Sequence, residues 1–276
     1  MLPSWCLVPS CIGVAKGEIG IEENGKKMKV LLFQIRNVGD PMLIQEFECF
    51  QAKLESLKTD LDVHFESINI IENPDGIEEK WKDYDLIFVG GSGDYGCVEN
   101  EQEWFSTFCG ILRNIVDAEK PMFCSCFGHQ ALAVALGGEV VTDRSRSELG
   151  TWPVTLNEAG QEDVLLGKLP SPFPAQFGHN DQVVRLPRGG INLASTSKCS
   201  IQAYKLKGKL IYATQFHPEL SHLENRERAS NYLEIYAPEL TTPEMLESLY
   251  RPSIGASELL PRFVRLVAQG HKVGGS

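Results

Sequence analysis

The sequence predicts an α/β fold: a three-layer sandwich with a mostly parallel central sheet and a small additional antiparallel sheet. Three observations carry this expectation. Short apolar runs at 30–35, 63–70, 86–89 and 122–125 read as strands buried on both faces. Amphipathic stretches separate them, the pattern of βαβ units. From Gly138 to Gln215 the chain switches to short strands and turns without long helices, which predicts antiparallel pairing.

The elements follow in order. Ordered structure is expected to begin near Met28. After the first strand, Asp40-Pro41 reads as a helix start, an N-cap residue followed by proline in the first turn. Leu43, Phe47, Phe50, Leu54 and Leu57 then share one helical face. The strand at 86–89 runs into a glycine-rich turn, GGSGDYG. A helix over 101–116 carries Trp104, Phe108, Ile111 and Ile115 on one stripe. The strand at 122–125 leads to a short helix at 130–136. Strands are expected at 151–156, 181–186, 201–206 and 209–215, the last two joined by a Lys207-Gly208 turn. Helices follow at 225–236, 243–250 and 257–268. This divides the chain into an N-terminal extension, 1–27, a main domain, 28–236, and a C-terminal helical extension, 237–276, packed on it.

Composition narrows the function. The 276 residues carry a formal net charge of −11, which repels phosphate backbones and disfavours nucleic-acid binding. No apolar run approaches the roughly 20 residues of a membrane span. The N-terminus has neither a basic segment ahead of its apolar stretch nor an A-x-A cleavage site, so a cytoplasmic location is expected. The eight cysteines are irregularly spaced, which suits reduced thiols rather than a disulfide framework.

The sharpest feature is FCSCFGHQALAVALGG, 123–138. An apolar strand ends at Cys126 and a helix starts at once. Such an elbow presents its side chain above the carboxyl ends of the strands, where open α/β sheets bind ligands. The helix start offers free N–H groups and a positive dipole to a thiolate and to a developing oxyanion. A thiol nucleophile needs a base, and IYATQFHPEL, 211–220, supplies one. His217 follows an apolar strand that Pro218 ends, and Glu219 stands two residues on, close enough to orient the imidazole.

These residues resemble a known family. Cys126-Phe127-Gly128-His129-Gln130 is similar to the C-x-G-x-Q nucleophile motif of class I (triad) glutamine amidotransferases, and His217-Pro218-Glu219 to their H-P-E motif, 91 residues downstream of Cys126. GGSGDYG, the segment from Leu149 to Val154, and Gly178-His179-Asn180-Asp181 are weaker matches in the expected order. The resemblance runs from about Met28 to Leu220, nearest to stand-alone relatives of the GMP synthetase amidotransferase domain. It implies a flavodoxin-like fold and a Cys126–His217–Glu219 triad. It also implies an oxyanion hole from backbone N–H groups of Phe127 and of Gly91 or Ser92. Substrate contacts would come from Gln130, Leu149, Gly150, Thr151, His179 and Asp181. The expected reaction is hydrolysis of the glutamine γ-carboxamide through a γ-glutamyl thioester, releasing ammonia and glutamate, with a separate synthetase chain as a possible partner.

Blander readings stand beside these. Cys124 is expected in the core, and His129 at the helix start in a structural role. His179 and Asp181 either line the site or form a polar turn. Zinc on Cys124, Cys126 and His129 has poor ligand spacing, so no metal or cofactor is expected. Two other functions compete. One is a γ-glutamyl hydrolase or peptidase acting on γ-glutamyl conjugates; the other is a non-catalytic binding protein that keeps the fold. The DJ-1/PfpI group also has a cysteine elbow, but histidine typically follows that cysteine, where this chain has Phe127.

Overall fold

The computed structural model describes residues 14–19, 26–72, 77–98, 100–233 and 242–270. Ten strands form the main sheet in the order β1-β3-β2-β4-β5-β12-β11-β10-β7-β8. Its centre is parallel: β3 (Leu61–Asn69), β2 (Lys26–Gln34), β4 (Leu86–Val89), β5 (Met122–Ser125) and β12 (Ile211–Thr214). Antiparallel strands prolong both edges. On one side lies β1 (Val14–Ile19); on the other lie β11 (Ala203–Leu206), β10 (Gly190–Ser195), β7 (Glu148–Leu156) and β8 (Phe173–His179). A separate antiparallel pair joins β6 (Glu139–Thr142) to β9 (Asp181–Arg185).

Alternation along β2 shows why the sheet is covered twice. Val30 and Leu32 point into one core with Phe50, Leu54 and Phe263, whereas Leu31 and Phe33 point into the other with Phe108, Ile111 and Leu132. The first core is capped by α1 (Met42–Leu54) and the C-terminal α8 (Leu259–Ala268), the second by α2 (Glu103–Asp117) and α3 (Phe127–Ala135). Phe263 of α8 meets Phe123 and Tyr212 edge-on, so this last helix is built onto the central strands. Between them run α4 (Glu158–Gln161), α5 (His222–Asn231), α6 (Pro243–Ser248) and α7 (Ile254–Ser257).

Several elements differ from expectation. β1 falls inside the segment read as an N-terminal extension, and β2 begins at Lys26 rather than Met28. β1 pairs with the outer edge of β3 through backbone hydrogen bonds, which an apolarity pattern does not encode. α1 stops at Leu54 because residues 55–57 tighten into a 3₁₀ turn. α3 starts at Phe127, three residues early, so the elbow has no loop. Strands β6, β8 and β10 have no counterpart in the expected pattern. The helix expected over 225–236 begins at His222, and its last residues lie outside the described ones.

Candidate active site

Three adjacent parallel strands deliver the site. The carboxyl end of β4 gives Gly90 and Gly91, β5 gives Cys126, and β12 leads to His217. Cys126 has φ 51° and ψ −106°, a conformation most residues avoid. Its amide donates to Thr214 O at 2.9 Å, and the Gly128 amide donates to Gly90 O at 3.1 Å, which pins the turn between both neighbouring strands. Gly128 is required there: a Cβ would stand 2.7 Å from Val89 Cγ1 and 2.9 Å from Val89 O.

His217 is buried, and its Nδ1 lies 2.6 Å from Glu219 Oε1. Burial opposes charge on the imidazole, but Glu219 and then Cys126 outweigh it and raise the pKa to about 9. Burial likewise opposes charge on Glu219, and His217 and Arg228 outweigh it, lowering the pKa to about 2. His217 and Cys126 also meet by hydrogen bond. A Cβ on Gly91 would be 3.1 Å from His217 Cε1 and 3.7 Å from Cys126 Cβ, so this glycine leaves room for both.

Behind the triad lies a buried ionic network. Arg228 Nη1 is 3.3 Å from Glu219 Oε1 and 3.9 Å from Glu46 Oε1. Glu46, fully buried on α1, also binds Arg36 through both oxygens, at 3.1 and 3.2 Å, and accepts the Gly91 N–H at 3.0 Å. Arg36 continues to Tyr232 Oη at 2.7 Å. Ser221 positions Arg228 by closing a capping box with Glu224 at the start of α5.

The expected site residues divide. Cys126, His217 and Glu219 come together. Phe127 stands at the first helical position, where an N–H has no acceptor within the helix. The Gly91 N–H is committed to Glu46, which corrects its expected place in the oxyanion hole and leaves Ser92 as the loop's candidate. Gln130, His179, Asp181 and Ser92 line a pocket of about 180 Å³ with Cys126, Asp94 and Arg144. Gln130 reaches it while donating to Asp181 O and Gln215 Oε1. Gly150 and Thr151 are turned away. The Thr151 amide donates to Leu249 O at 2.8 Å, its hydroxyl accepts from the Arg251 amide at 2.8 Å, and Gly150, at φ 92°, lies against Leu249. Leu149 lines only a smaller cavity beside His217. His129 is buried against Tyr204, and burial followed by His179 lowers its pKa to about 3, so it stays neutral.

Among the described residues, Glu148, His179 and Cys199 hold ligand-type atoms within 4.8 Å of one another. Their atoms are already engaged. Glu148 accepts from Thr196 and Gln202, His179 faces Glu148 and Asp181 O, and Cys199 donates to Arg146 O. No described helix is long and apolar enough to cross a membrane.

Sequence reasoning missed Glu46, Arg36, Arg228 and Gln215, whose amide lies 3.7 Å from Cys126 Sγ. Only Glu46 left a signal. It is a lone carboxylate on the stripe that Met42, Cys49 and Phe50 bury.

Residues 43–232 match the family model described as glutamine amidotransferase class-I. The chain is 34% identical over 164 residues to a glutamine-hydrolyzing GMP synthase subunit of Sulfurisphaera tokodaii, covering 59% of this chain and 82% of that protein. It is 38% identical over 109 residues to the corresponding GMP synthase subunit of Methanocaldococcus jannaschii, covering 40% of this chain and 56% of the relative. A crystal structure of a glutamine amidotransferase from Thermotoga maritima superposes with a TM-score of 0.63 at 20% identity, over 88% of this chain and 97% of that one, which shows the shared flavodoxin-like fold. With a family match spanning the nucleophile elbow and the His217 loop, the chain belongs to the class-I glutamine amidotransferases.

Proposed function

We propose that this chain hydrolyses the γ-carboxamide of glutamine, with Cys126 as nucleophile, His217 as general base and acid, and Glu219 as the group that orients His217. The observation that carries the reading is the strained Cys126 elbow meeting a buried His217–Glu219 pair at the ends of adjacent strands.

The geometry supports each step. Glu219 accepts from Nδ1 and so leaves Nε2 to exchange a proton with Cys126. Cys126 Sγ attacks the γ-carbonyl carbon, and the carbonyl oxygen takes the negative charge. The N–H groups of Phe127 and Ser92 meet that charge, with the α3 dipole behind Phe127. His217 protonates the leaving nitrogen, ammonia departs, and a γ-glutamyl thioester remains. Water gives its proton to His217 and attacks the thioester. The C–S bond breaks, releasing glutamate and restoring the thiolate. The 180 Å³ pocket offers Arg144 to the substrate carboxylate, and Asp94 and Asp181 to its ammonium group. The relatives each bear the name of one subunit of GMP synthase, which supports delivery of ammonia to a separate synthetase chain.

The test is glutamate release from glutamine, with and without candidate synthetase chains, together with labelling by a glutamine-analogue electrophile. Turnover and a single adduct on Cys126 are expected. No turnover in any combination, or an adduct elsewhere, refutes the reading.

A further inference from the structure

A second, smaller cavity adjoins the site. It measures about 10 Å³, about the room one water molecule needs, and is lined by Arg36, Ser92, Leu149, Gly178, His217, Asn225, Arg228 and Ala229. Ser92 and Gly178 also line the larger pocket, so the two spaces share a wall at the triad. Cys126 faces the larger space and His217 the smaller one. The smaller space is polar on one side: Arg228 Nη2 is buried without a hydrogen-bond partner, a donor available to one small guest.

Its far side is closed by the C-terminal segment. Leu149 and Ala229 pack with Leu246, Leu249 and Tyr250. The Thr151 amide donates to Leu249 O, and the Gln176 side chain donates to Arg251 O and Ser253 Oγ, which fastens this seal to β7 and β8. Residues 246–253 lie beyond the stretch matched by the family model.

The geometry points to a single-molecule compartment on the His217 side of Cys126, through which ammonia leaves and the hydrolytic water arrives, and which confines the enzyme to unsubstituted carboxamides. This rests on the glutaminase reading. His217 protonates the leaving nitrogen, so that nitrogen departs on the His217 side. Ammonia fits the space; a nitrogen carrying a methyl group or a peptide overfills it. Once ammonia has gone, water in the same position gives its proton to His217, its oxygen bonds the thioester carbon, and the C–S bond breaks. The sealed compartment therefore argues against γ-glutamyl conjugates as substrates.

The experiment compares kcat/KM for glutamine, γ-glutamyl-methylamide and a γ-glutamyl dipeptide, scored by glutamate release. Glutamine is expected to exceed the methylamide tenfold or more and the dipeptide by a larger factor. Leu149→Ala opens the wall and is expected to narrow the glutamine-to-methylamide ratio at least tenfold. Ala229→Gly replaces it if that variant does not fold. Turnover of glutamine with the methylamide within threefold of it overturns the compartment and leaves the glutaminase reading standing. So does an unchanged ratio in a folded opening variant. Failure of glutamine itself, with and without synthetase chains, defeats both.

Discussion

Replacing Glu219 with glutamine removes one charge from the triad and keeps its shape. In the wild-type protein Glu219 and Cys126 hold the His217 pKa near 9 against burial, from an ordinary value of 6.5. At about 1.4 kcal/mol per pH unit, that rise is worth about 3 kcal/mol of folded-state stability. The low pKa of Glu219 describes the same interaction from its other end, so it is not added. In Glu219→Gln the larger opposing charge is gone and burial dominates. His217 then titrates below 6.5 and is neutral at pH 7.5.

The signs define a pH window. A raised histidine pKa contributes its full stabilisation below 6.5 and loses it as pH rises through about 9. A depressed carboxylate pKa contributes above 4.5 and loses it as pH falls towards about 2. The difference in stability between wild type and Glu219→Gln should therefore peak between 4.5 and 6.5 and narrow on both sides. Arg228 loses a partner in the variant at every pH, and that part of the cost is flat. Calorimetric melting at pH 5.5, 7.5 and 9.5 reads the result, with a Tm gap of about 5–10 °C at pH 5.5. A gap that does not change with pH, or a His217 ring titration by NMR that is unmoved in the variant, refutes the assignment of the pair.

Cys126→Ala should lower glutamate release by about 10⁴-fold or more while keeping the wild-type circular dichroism. Cys126→Gly should be equally inactive yet more stable than Cys126→Ala by about 1–3 kcal/mol in urea unfolding, because glycine tolerates φ 51°. Glu46→Ala should cost about 3–5 kcal/mol by the same measurement, since it strips a buried carboxylate from Arg36 and Arg228. Gly128→Ala should reduce kcat tenfold or more with a smaller change in KM, because the new methyl meets Val89 and displaces the elbow.

The parts of this molecule that were legible in the sequence are those whose chemistry is local. The β5–α3 elbow could be read because an apolar strand, a cysteine and a glycine occur within a few residues. His217 and Glu219 could be read because the base and its orienter are two residues apart. The parallel strands announced themselves as uninterrupted apolar runs. What escaped depends on long-range pairing. Arg228 and Glu46 are far apart in the chain, and each alone resembles an ordinary surface charge on a helix. Thr151 sits beside a motif yet turns to residues 249–251, a contact only the docked C-terminal segment reveals. The Gly91 N–H has the right position and the wrong direction, since its partner comes from α1.

Those long-range contacts have a common physical cause. An imidazolium held in a buried site needs a buried carboxylate, and Glu219 supplies it. Glu219 is itself fully buried and engages Arg228, whose charge in turn approaches Glu46. Glu46 then carries two arginines and also takes the Gly91 N–H. Each partner offsets the desolvation of the one before it, until Arg36 reaches Asp40 and Tyr232 near the surface. The chain of charges therefore ties α1, α5 and the β4 loop to the residue that orients His217. Nucleophile, base and loop cannot shift independently without exposing an unpaired buried charge. This gives the site its rigidity from electrostatics where three short strand ends alone would leave the loops free.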